Sequence, residues 1–327
     1  MDEAIEAHEL VKRFKDLEAL SGVDFSVHAG ELFGFVGPNG AGKTTVINIL
    51  CTLIPPTSGR AVVAGFDVAS QSFQVRQNIG LVFQDQSLDE YLTAKENLEF
   101  HAICYNMDSK KIKARTEELM RMVDLWDRKD SLVRTFSGGM KRRLELARGL
   151  MHTPVVLFLD EPTIGLDPQT RHTIWQYIAE LRETRKLTIF LTTHYLEEAE
   201  ACDRVAIIDH GRIVALDTPE QLKGSVGGDV VTLQTTDNDL AIKLIEERYK
   251  LDVRLVQNNI EFKVQSGGRF IPELLQNLGE SVISVGLHRA TLEDVFLGYT
   301  GHAIRDDDAE ARDELIARSR SRRGSRI

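Results

Sequence analysis

A glycine-rich segment between an apolar run and a helical pattern constrains the fold of this chain most strongly. The segment reads Gly37-Pro38-Asn39-Gly40-Ala41-Gly42-Lys43-Thr44 and matches the pattern G-x-x-x-x-G-K-[ST]. Residues 32–36 before it have the character of a buried strand, and residues 46–50 after it have apolar helical periodicity. Glycines at these spacings let successive backbone N–H groups curl around phosphate oxygens, and the helix N-terminus adds a positive dipole end. The sequence therefore predicts a strand–loop–helix unit that binds phosphate.

The last residues of this segment and a later pair of acids supply groups for nucleotide chemistry. Lys43 is expected to reach the β- and γ-phosphates, and the Thr44 hydroxyl is expected to ligate Mg²⁺. Asp160 and Glu161 follow the apolar run 155–159, at a strand end of the kind where parallel sheets bind ligands. Asp160 is a candidate metal ligand, and Glu161 is a candidate to polarise an attacking water. Two acids after a strand can also form a helix-capping turn, so the pair alone leaves that alternative open.

Strand-like and helical patterns alternate through the first two thirds of the chain, which favours an α/β fold with a parallel sheet. Residues from about 87 to 140 have helical periodicity and predict a small helical subdomain within a first domain, 1–223. After a glycine-rich run, residues 229–301 follow the order βαββαβ, which is typical of a small ferredoxin-like α+β domain. Residues 302–327 form a charged tail, acidic and then arginine-rich, whose composition predicts disorder.

Composition disfavours several classes of protein. The 327 residues include 40 basic and 50 acidic side chains, and the net charge of −10 argues against nucleic acid as a direct partner. The three cysteines lie far apart and predict neither a disulfide framework nor a thiolate metal site. No export signal is visible, and no apolar run approaches the roughly 18–20 residues of a membrane helix. We therefore expect a cytoplasmic protein, and any membrane-spanning partner would be a separate chain.

A further motif, Ser137-Gly138-Gly139, precedes a basic helix predicted from Lys141 to Leu150 and resembles the signature motif of ABC-type ATPases. The chain resembles that family over roughly residues 4–220, because this motif and several others occur in the order that the family has. The others are a D-loop-like segment ending at Asp167, a Q-loop-like Gln84, a switch-like His194, and Phe14 where the family has an aromatic that stacks on adenine. An ordered set of motifs is far more specific than any one of them.

The resemblance implies a hydrolytic site for ATP and Mg²⁺. It assigns catalysis to Lys43, Gln84, Glu161 and His194, and metal binding to Thr44, Gln84 and Asp160. It assigns nucleotide contacts to Phe14, Gly37, Pro38, Asn39, Gly40, Ala41, Gly42, Lys43, Thr44, Thr45, Ser137, Gly138, Gly139 and Asp167. In the family, each signature motif covers the γ-phosphate held by a second chain, so the resemblance also implies a homodimer around two Mg-ATP.

Two positions depart from the common family pattern. Met140 stands where the signature motif usually has glutamine, which weakens any expectation that residue 140 contacts the nucleotide by hydrogen bonding. Phe14 stands where tyrosine is frequent, and phenylalanine keeps the capacity to stack on a base.

The last third of the chain is similar to the drug-resistance, daunorubicin-exporter-like branch of the family. Residues 291–297, Thr-Leu-Glu-Asp-Val-Phe-Leu, resemble a motif of that branch, although they could also form an ordinary amphipathic turn. The resemblance implies an ATPase subunit on the inner face of the cell membrane that powers export of a drug, lipid or other hydrophobic compound through a separate integral-membrane permease. Residues 87–98 would receive the permease. A soluble ABC ATPase, acting as a regulatory or nucleic-acid- or ribosome-associated switch, and an importer subunit stay open as alternatives.

Overall fold

The computed structural model describes residues 3–15, 17–256 and 259–301. Within these ranges the chain forms two compact units that divide between Leu216 and Asp217. The predicted charged tail lies outside the described residues, as do Gln257 and Asn258 of the predicted C-terminal domain. No helix in the described ranges combines the length and the apolar character that crossing a membrane requires.

The first unit contains long strands, short buried strands and the helices that connect them. The strands are β1 Glu3–Phe14, β2 Leu17–His28, β3 Leu32–Val36, β4 Ser58–Val63, β5 Phe66–Asp67, β6 Ile79–Val82, β7 Val156–Asp160, β8 Thr188–Thr193, β9 Arg204–Asp209 and β10 Arg212–Asp217. The helices are α1 Lys43–Leu50, α2 Ser72–Asn78, α3 Ala94–Cys104, α4 Ser109–Met122, α5 Gly138–Gly149, α6 Pro168–Arg185 and α7 Leu196–Ala199.

These strands form two sheets. One has the order β10-β9-β3-β8-β7-β6, in which the neighbours from β9 to β6 run parallel, and the other is a four-stranded sheet with the order β2-β1-β4-β5. Every residue of β3, β7 and β8 is buried, as expected for parallel strands that are covered on both faces. The predicted α/β fold with a parallel sheet is confirmed.

The register of the parallel strands brings the ends of three of them together. Asp160 at the end of β7 lies opposite Thr192 of β8, and Val36 at the end of β3 lies opposite Thr193. Because parallel strands end at the same edge of a sheet, the segments that follow β3, β7 and β8 meet there. This edge collects the glycine-rich loop, the two acids and the histidine that the sequence predicts for the site.

An aromatic core fixes the strands that carry these segments. The rings of five phenylalanines, one each from β2, β7 and β8 and two from β3, lie with neighbouring centroids 5.4 to 5.8 Å apart: Phe25, Phe33, Phe35, Phe158 and Phe190. All five are buried. Burying each ring contributes about 1.5–3 kcal/mol to folding, so the strand ends rest on a well-packed base.

The region between β6 and β7 is helical, and polar caps set where its helices begin. Thr93 and Glu96 form a capping box at the start of α3, and the Asp108 side chain caps α4. Ser137 caps α5 by accepting a hydrogen bond from the Met140 N–H. The helix that we predict from residue 141 begins earlier, at Gly138, because the serine side chain satisfies one of its first N–H groups.

The second unit contains α8 Pro219–Ser225, β11 Asp229–Thr235, α9 Asn238–Leu244, β12 Val253–Val256, β13 Asn259–Val264, α10 Gly267–Leu278, β14 Val282–His288 and α11 Leu292–Thr300. Its sheet has the order β12-β13-β11-β14, and all neighbours are antiparallel. This is the split βαβ arrangement expected for the C-terminal module. The unit begins before the glycine-rich run, since α8 packs against α11.

Candidate active site

The glycine-rich loop follows β3 and leads directly into α1. Gly40 and Gly42 have φ values of 80° and 110°, which glycine adopts without steric cost. A Cβ atom on Gly37 would lie 2.2 Å from the Ile208 carbonyl oxygen, so this position also requires glycine. The Lys43 side chain is buried and donates hydrogen bonds to the carbonyl oxygens of Gly37, at 2.8 Å, and Pro38, at 3.2 Å. The loop therefore has the backbone conformation and the lysine that phosphate binding needs.

Asp160 and Thr44 face each other across the sheet edge. The Thr44 hydroxyl lies 3.5 Å from Asp160 Oδ1, and the Thr192 hydroxyl donates to the same oxygen at 2.5 Å. Burial raises the pKa of Asp160, although the hydrogen bonds from Thr192 and Thr44 act in the opposite direction. A cation bound at this carboxylate would offset the free-energy cost of burying its negative charge.

The Thr44 hydroxyl and the Asp160 carboxylate are too few to hold a metal ion without other ligands, but they suit Mg²⁺. No group of three or more His, Cys, Asp or Glu side chains able to hold a metal occurs in the described residues. Mg²⁺ is usually held by one or two carboxylates and keeps waters or substrate phosphates as its other ligands. One hydroxyl and one carboxylate beside a phosphate loop match that requirement.

Glu161 lies between two of the predicted catalytic residues. Its Oε1 is 3.1 Å from Lys43 Nζ, and its Oε2 is 3.1 Å from His194 Nδ1, with all three side chains buried. Burial alone would raise the pKa of Glu161, but the hydrogen bond with His194 and the charge of Lys43 lower it below its ordinary value. The carboxylate is therefore ionised at neutral pH.

The backbone of Glu161 is also held in an unusual conformation. Its φ is 46°, in the left-handed region that costs a residue with a side chain about 1–3 kcal/mol. The Glu161 N–H lies 3.1 Å from both the carbonyl oxygen and the hydroxyl of Thr192 on the neighbouring strand. β8 thus offsets the strain and directs the Glu161 side chain toward Lys43 and His194.

The signature motif and the D-loop segment meet at the start of α6. Asp167 caps α6 by accepting from the Thr170 N–H at 3.0 Å, and its other oxygen accepts from the Thr170 hydroxyl at 2.6 Å. Gly139 lies against the same threonine, since a Cβ atom on Gly139 would lie 2.5 Å from Thr170 Cγ2. Ser137 and Gly138 are exposed beside this contact.

Replacing Gly139 by alanine is expected to destabilise the chain by about 1–3 kcal/mol, the usual cost of overpacking. The added methyl group would push against Thr170 Cγ2, and Thr170→Ser would remove that atom while keeping the hydroxyl that bonds Asp167. The double variant should therefore recover most of the loss in urea unfolding. Gly138→Ala is the matched control, because a Cβ atom there would meet nothing within 4 Å. A Gly139→Ala chain as stable as the parent would contradict the proposed contact.

Phe14 and Gln84 lie on the surface rather than in the buried group. Phe14 ends β1 with 44% of its surface exposed, and the Lys12 ammonium lies 5.0 Å from its ring centroid. Gln84 is exposed in the loop that follows β6. Their assigned contacts with adenine and with metal stay predictions.

Arg142 and Glu145 on α5 form a buried network that no sequence motif assigns to the site. The Arg142 guanidinium donates to Glu145 and to the backbone carbonyls of four residues: Phe83, Asp160, Glu161 and Pro162. Glu145 is completely buried and accepts from the Ser87 N–H at 2.8 Å. The network connects the signature helix to the loop around Gln84 and to the backbone of both acids. The only sequence signal was a basic run after Gly139, which by itself is typical of a solvated helix face.

The parallel sheet, the glycine-rich loop and the acid pair at its edge define a nucleotide-binding protein of the phosphate-loop class. A family model described as ABC transporter matches residues 20–164. The daunorubicin resistance ATP-binding protein DrrA2 of Streptomyces coeruleorubidus is 40% identical over 316 residues, 94% of this chain and 98% of that protein. The linearmycin resistance ATP-binding protein LnrL of Bacillus subtilis is 35% identical over 92% of this chain and 100% of its own length. The chain belongs to the ABC transporter family.

Solved structures agree with this assignment. The ATP-binding cassette MJ0796, in a dimeric post-hydrolysis state bound to ADP and Pi, has a TM-score of 0.60 at 27% identity and covers 65% of this chain and 98% of its own. CbiO1 from Clostridium perfringens, part of the ABC transporter complex cbiONQ, has a TM-score of 0.64 at 25% identity. It covers 76% of this chain and 97% of its own.

Proposed function

We propose that this chain is the ATP-hydrolysing subunit of an ABC exporter and powers transport of a drug or other hydrophobic compound through a separate membrane permease. The observation that carries the proposal is the buried contact of Glu161 with Lys43 and His194, beside Thr44 and Asp160. The drug-export part is supported by relatives that align over more than nine tenths of this chain and are named as resistance ATP-binding proteins.

The chain's own residues divide the work of hydrolysis. Lys43 is proposed to exchange its contact with Glu161 for the β- and γ-phosphates of ATP and to neutralise part of their charge. Glu161 is then free to accept a hydrogen bond from the attacking water and to polarise it. His194 is proposed to keep Glu161 oriented through the Nδ1–Oε2 contact and to meet the γ-phosphate or that water. Thr44 and Asp160, with Gln84 as a third candidate, would hold Mg²⁺, which neutralises phosphate charge when bound.

A second copy of the chain is proposed to complete each site. The N-terminus of α5, with the exposed Ser137 and Gly138, offers N–H groups and a hydroxyl to an anion. We infer that this motif and Asp167 face the ATP held by the other copy, while Phe14 stacks on adenine in its own site. The dimeric state named for the MJ0796 structure, with ADP and Pi bound, supports this arrangement.

Each part of the chain has a proposed role in the assembled transporter. The first unit, up to Leu216, would hold the nucleotide, and its helical subdomain, about 87–140, would receive the permease. The second unit, which comprises α8 and the predicted domain 229–301, and the charged tail 302–327 would follow it. The protein would lie in the cytoplasm on the inner face of the membrane.

Purified chain is expected to release inorganic phosphate from ATP only when Mg²⁺ is present. Lys43→Ala should lower that rate by about 10²–10³-fold, because the fixed positive charge beside the transferred phosphoryl group is lost. Phosphate release at the parental rate in this variant would contradict the role of Lys43.

Transport is tested in proteoliposomes that hold the chain together with a candidate permease, taken as any protein with several apolar runs of about 20 residues that a neighbouring reading frame encodes. We expect this protein to stimulate hydrolysis, and ATP to drive daunorubicin away from the face that carries the ATPase. Movement toward that face would identify an importer. Intact hydrolysis without stimulation or transport would favour the alternative of a soluble switch.

A further inference from the structure

Glu198 is a buried acid that the proposed chemistry does not use. It lies on α7, four residues after His194, and only 5% of its surface is exposed. Burying a carboxylate is costly unless hydrogen bonds or an opposite charge compensate for the loss of water. The hydrogen-bond partners of Glu198 therefore indicate the role of its side chain.

Both oxygens of Glu198 accept hydrogen bonds from threonine hydroxyls that belong to two different segments of the site. The Thr163 hydroxyl donates to Oε1, and the Thr193 hydroxyl donates to Oε2 at 2.9 Å. Each threonine is 1% exposed. The charge is balanced in part by Arg171, whose Nε lies 3.8 Å from Oε1.

The two threonines are placed next to the proposed catalytic pair. Thr163 follows Glu161 by two residues, and Thr193 directly precedes His194. One buried carboxylate therefore joins the side chains of two residues that flank the Glu161–His194 contact, in which Oε2 and Nδ1 are 3.1 Å apart. Thr163 also begins the segment that leads to Asp167, so the same carboxylate holds one end of the D-loop.

We propose that Glu198 is a positioning residue that fixes the distance between Glu161 and His194 by joining Thr163 to Thr193. The proposal rests on the catalytic roles assigned to Glu161 and His194. Glu198 acts through its two hydroxyl partners and does not itself contact ATP or the attacking water.

Glu198→Met tests the proposal, because methionine fills a similar volume without accepting either hydrogen bond. It should lower kcat for ATP hydrolysis by about tenfold to hundredfold, since a displacement of about 1 Å at a reacting group can cost about hundredfold. KM for ATP should change less than about threefold. Glu198→Gln can still bond both hydroxyls and should retain much more of the rate. Glu197→Gln, an exposed change one residue earlier on the same helix, should match the parent.

A double-variant cycle separates positioning from general support of the fold. In a His194→Ala background, Glu198→Met should cost less than about threefold, because the residue that it positions is already gone. An equal cost in both backgrounds would overturn the proposal, and so would an unchanged kcat in the single variant. Thr193→Val and Thr193→Ser give a second route if Glu198→Met folds poorly. The valine variant should lose activity, and the serine variant, which keeps the hydroxyl, should not.

A measurement without nucleotide distinguishes failure of this proposal from failure of the proposed function. The imidazole signals of His194, assigned by their loss in His194→Ala, should shift in NMR spectra of Glu198→Met and Thr193→Val. They should stay in place in Glu197→Gln and Thr193→Ser. Shifted signals in a chain that hydrolyses no ATP would support the positioning and refute the ATPase role, whereas unmoved signals in both variants would refute the positioning.

Discussion

Glu161→Gln is expected to reduce steady-state ATP hydrolysis by about 10²–10⁴-fold while ATP binding is retained. Glutamine has the same shape but no negative charge, so it cannot take a proton from the attacking water. The phosphate loop should be unaffected, since Lys43 keeps its hydrogen bonds to the carbonyls of Gly37 and Pro38. Phosphate release measures hydrolysis, and equilibrium dialysis measures ATP affinity.

The same variant should accumulate as a dimer when Mg-ATP is present, because hydrolysis no longer separates the two copies. Light scattering during size-exclusion chromatography measures this mass. Glu31→Gln is a suitable control: Glu31 is also buried and paired, with Arg204, but it precedes β3 at the opposite end of that strand from the phosphate loop. Its activity per folded molecule should match the parent. Hydrolysis at the parental rate in Glu161→Gln would remove Glu161 from the mechanism.

Arg142→Ala is expected to lower the free energy of unfolding by about 3–5 kcal/mol. The substitution leaves the completely buried Glu145 without its cation and removes the donor from four backbone carbonyls. A buried polar group that loses its partner costs about 1–3 kcal/mol, and the charged Glu145 costs more. Urea unfolding of the first unit, followed by circular dichroism, measures the change.

Arg134→Ala provides the comparison for this loss, because Arg134 is an exposed arginine in the same helical region. A surface change of this kind is usually within about 0.5 kcal/mol of the parent. Replacing Arg142 and Glu145 together by methionine and leucine should recover part of the stability, since no unpaired charge is then buried. If Arg142→Ala unfolds at the same urea concentration as Arg134→Ala, the network does not hold the site.

The elements of the nucleotide site could be predicted where a motif combined residue types with a local spacing. The glycine-rich loop, Glu161 and His194 each follow a recognisable buried strand, and Asp160 ends one. Parallel strands deliver such residues to one edge of the sheet. The βαββαβ order from β11 to β14 was likewise readable from strand and helix periodicity. The predicted start of α5, at residue 141, is three residues too late. Gly138 and Gly139 have low helix propensity, but they form the first turn of the helix that Ser137 caps.

Residues that act through distant partners could not be found in this way. Arg142 binds a carbonyl 59 positions earlier in the chain, and Glu198 binds a hydroxyl 35 positions earlier. In the sequence, the first is one of several basic residues on a helix, and the second is one of several acids. Neither pattern differs from that of a solvated surface.

Local sequence thus specified the class of chemistry, because phosphate binding depends on backbone freedom and on side chains that are close together along the chain. Only the folded chain decided which charges are buried and what they hold. Burial makes a charged group depend on partners from several strands and helices, and the register and packing of those elements bring the partners together. Glu161 illustrates both levels. A local motif predicts it, whereas hydrogen bonds from its backbone to β8 hold its conformation, and burial, which raises its pKa, is outweighed by His194 and Lys43, which lower it.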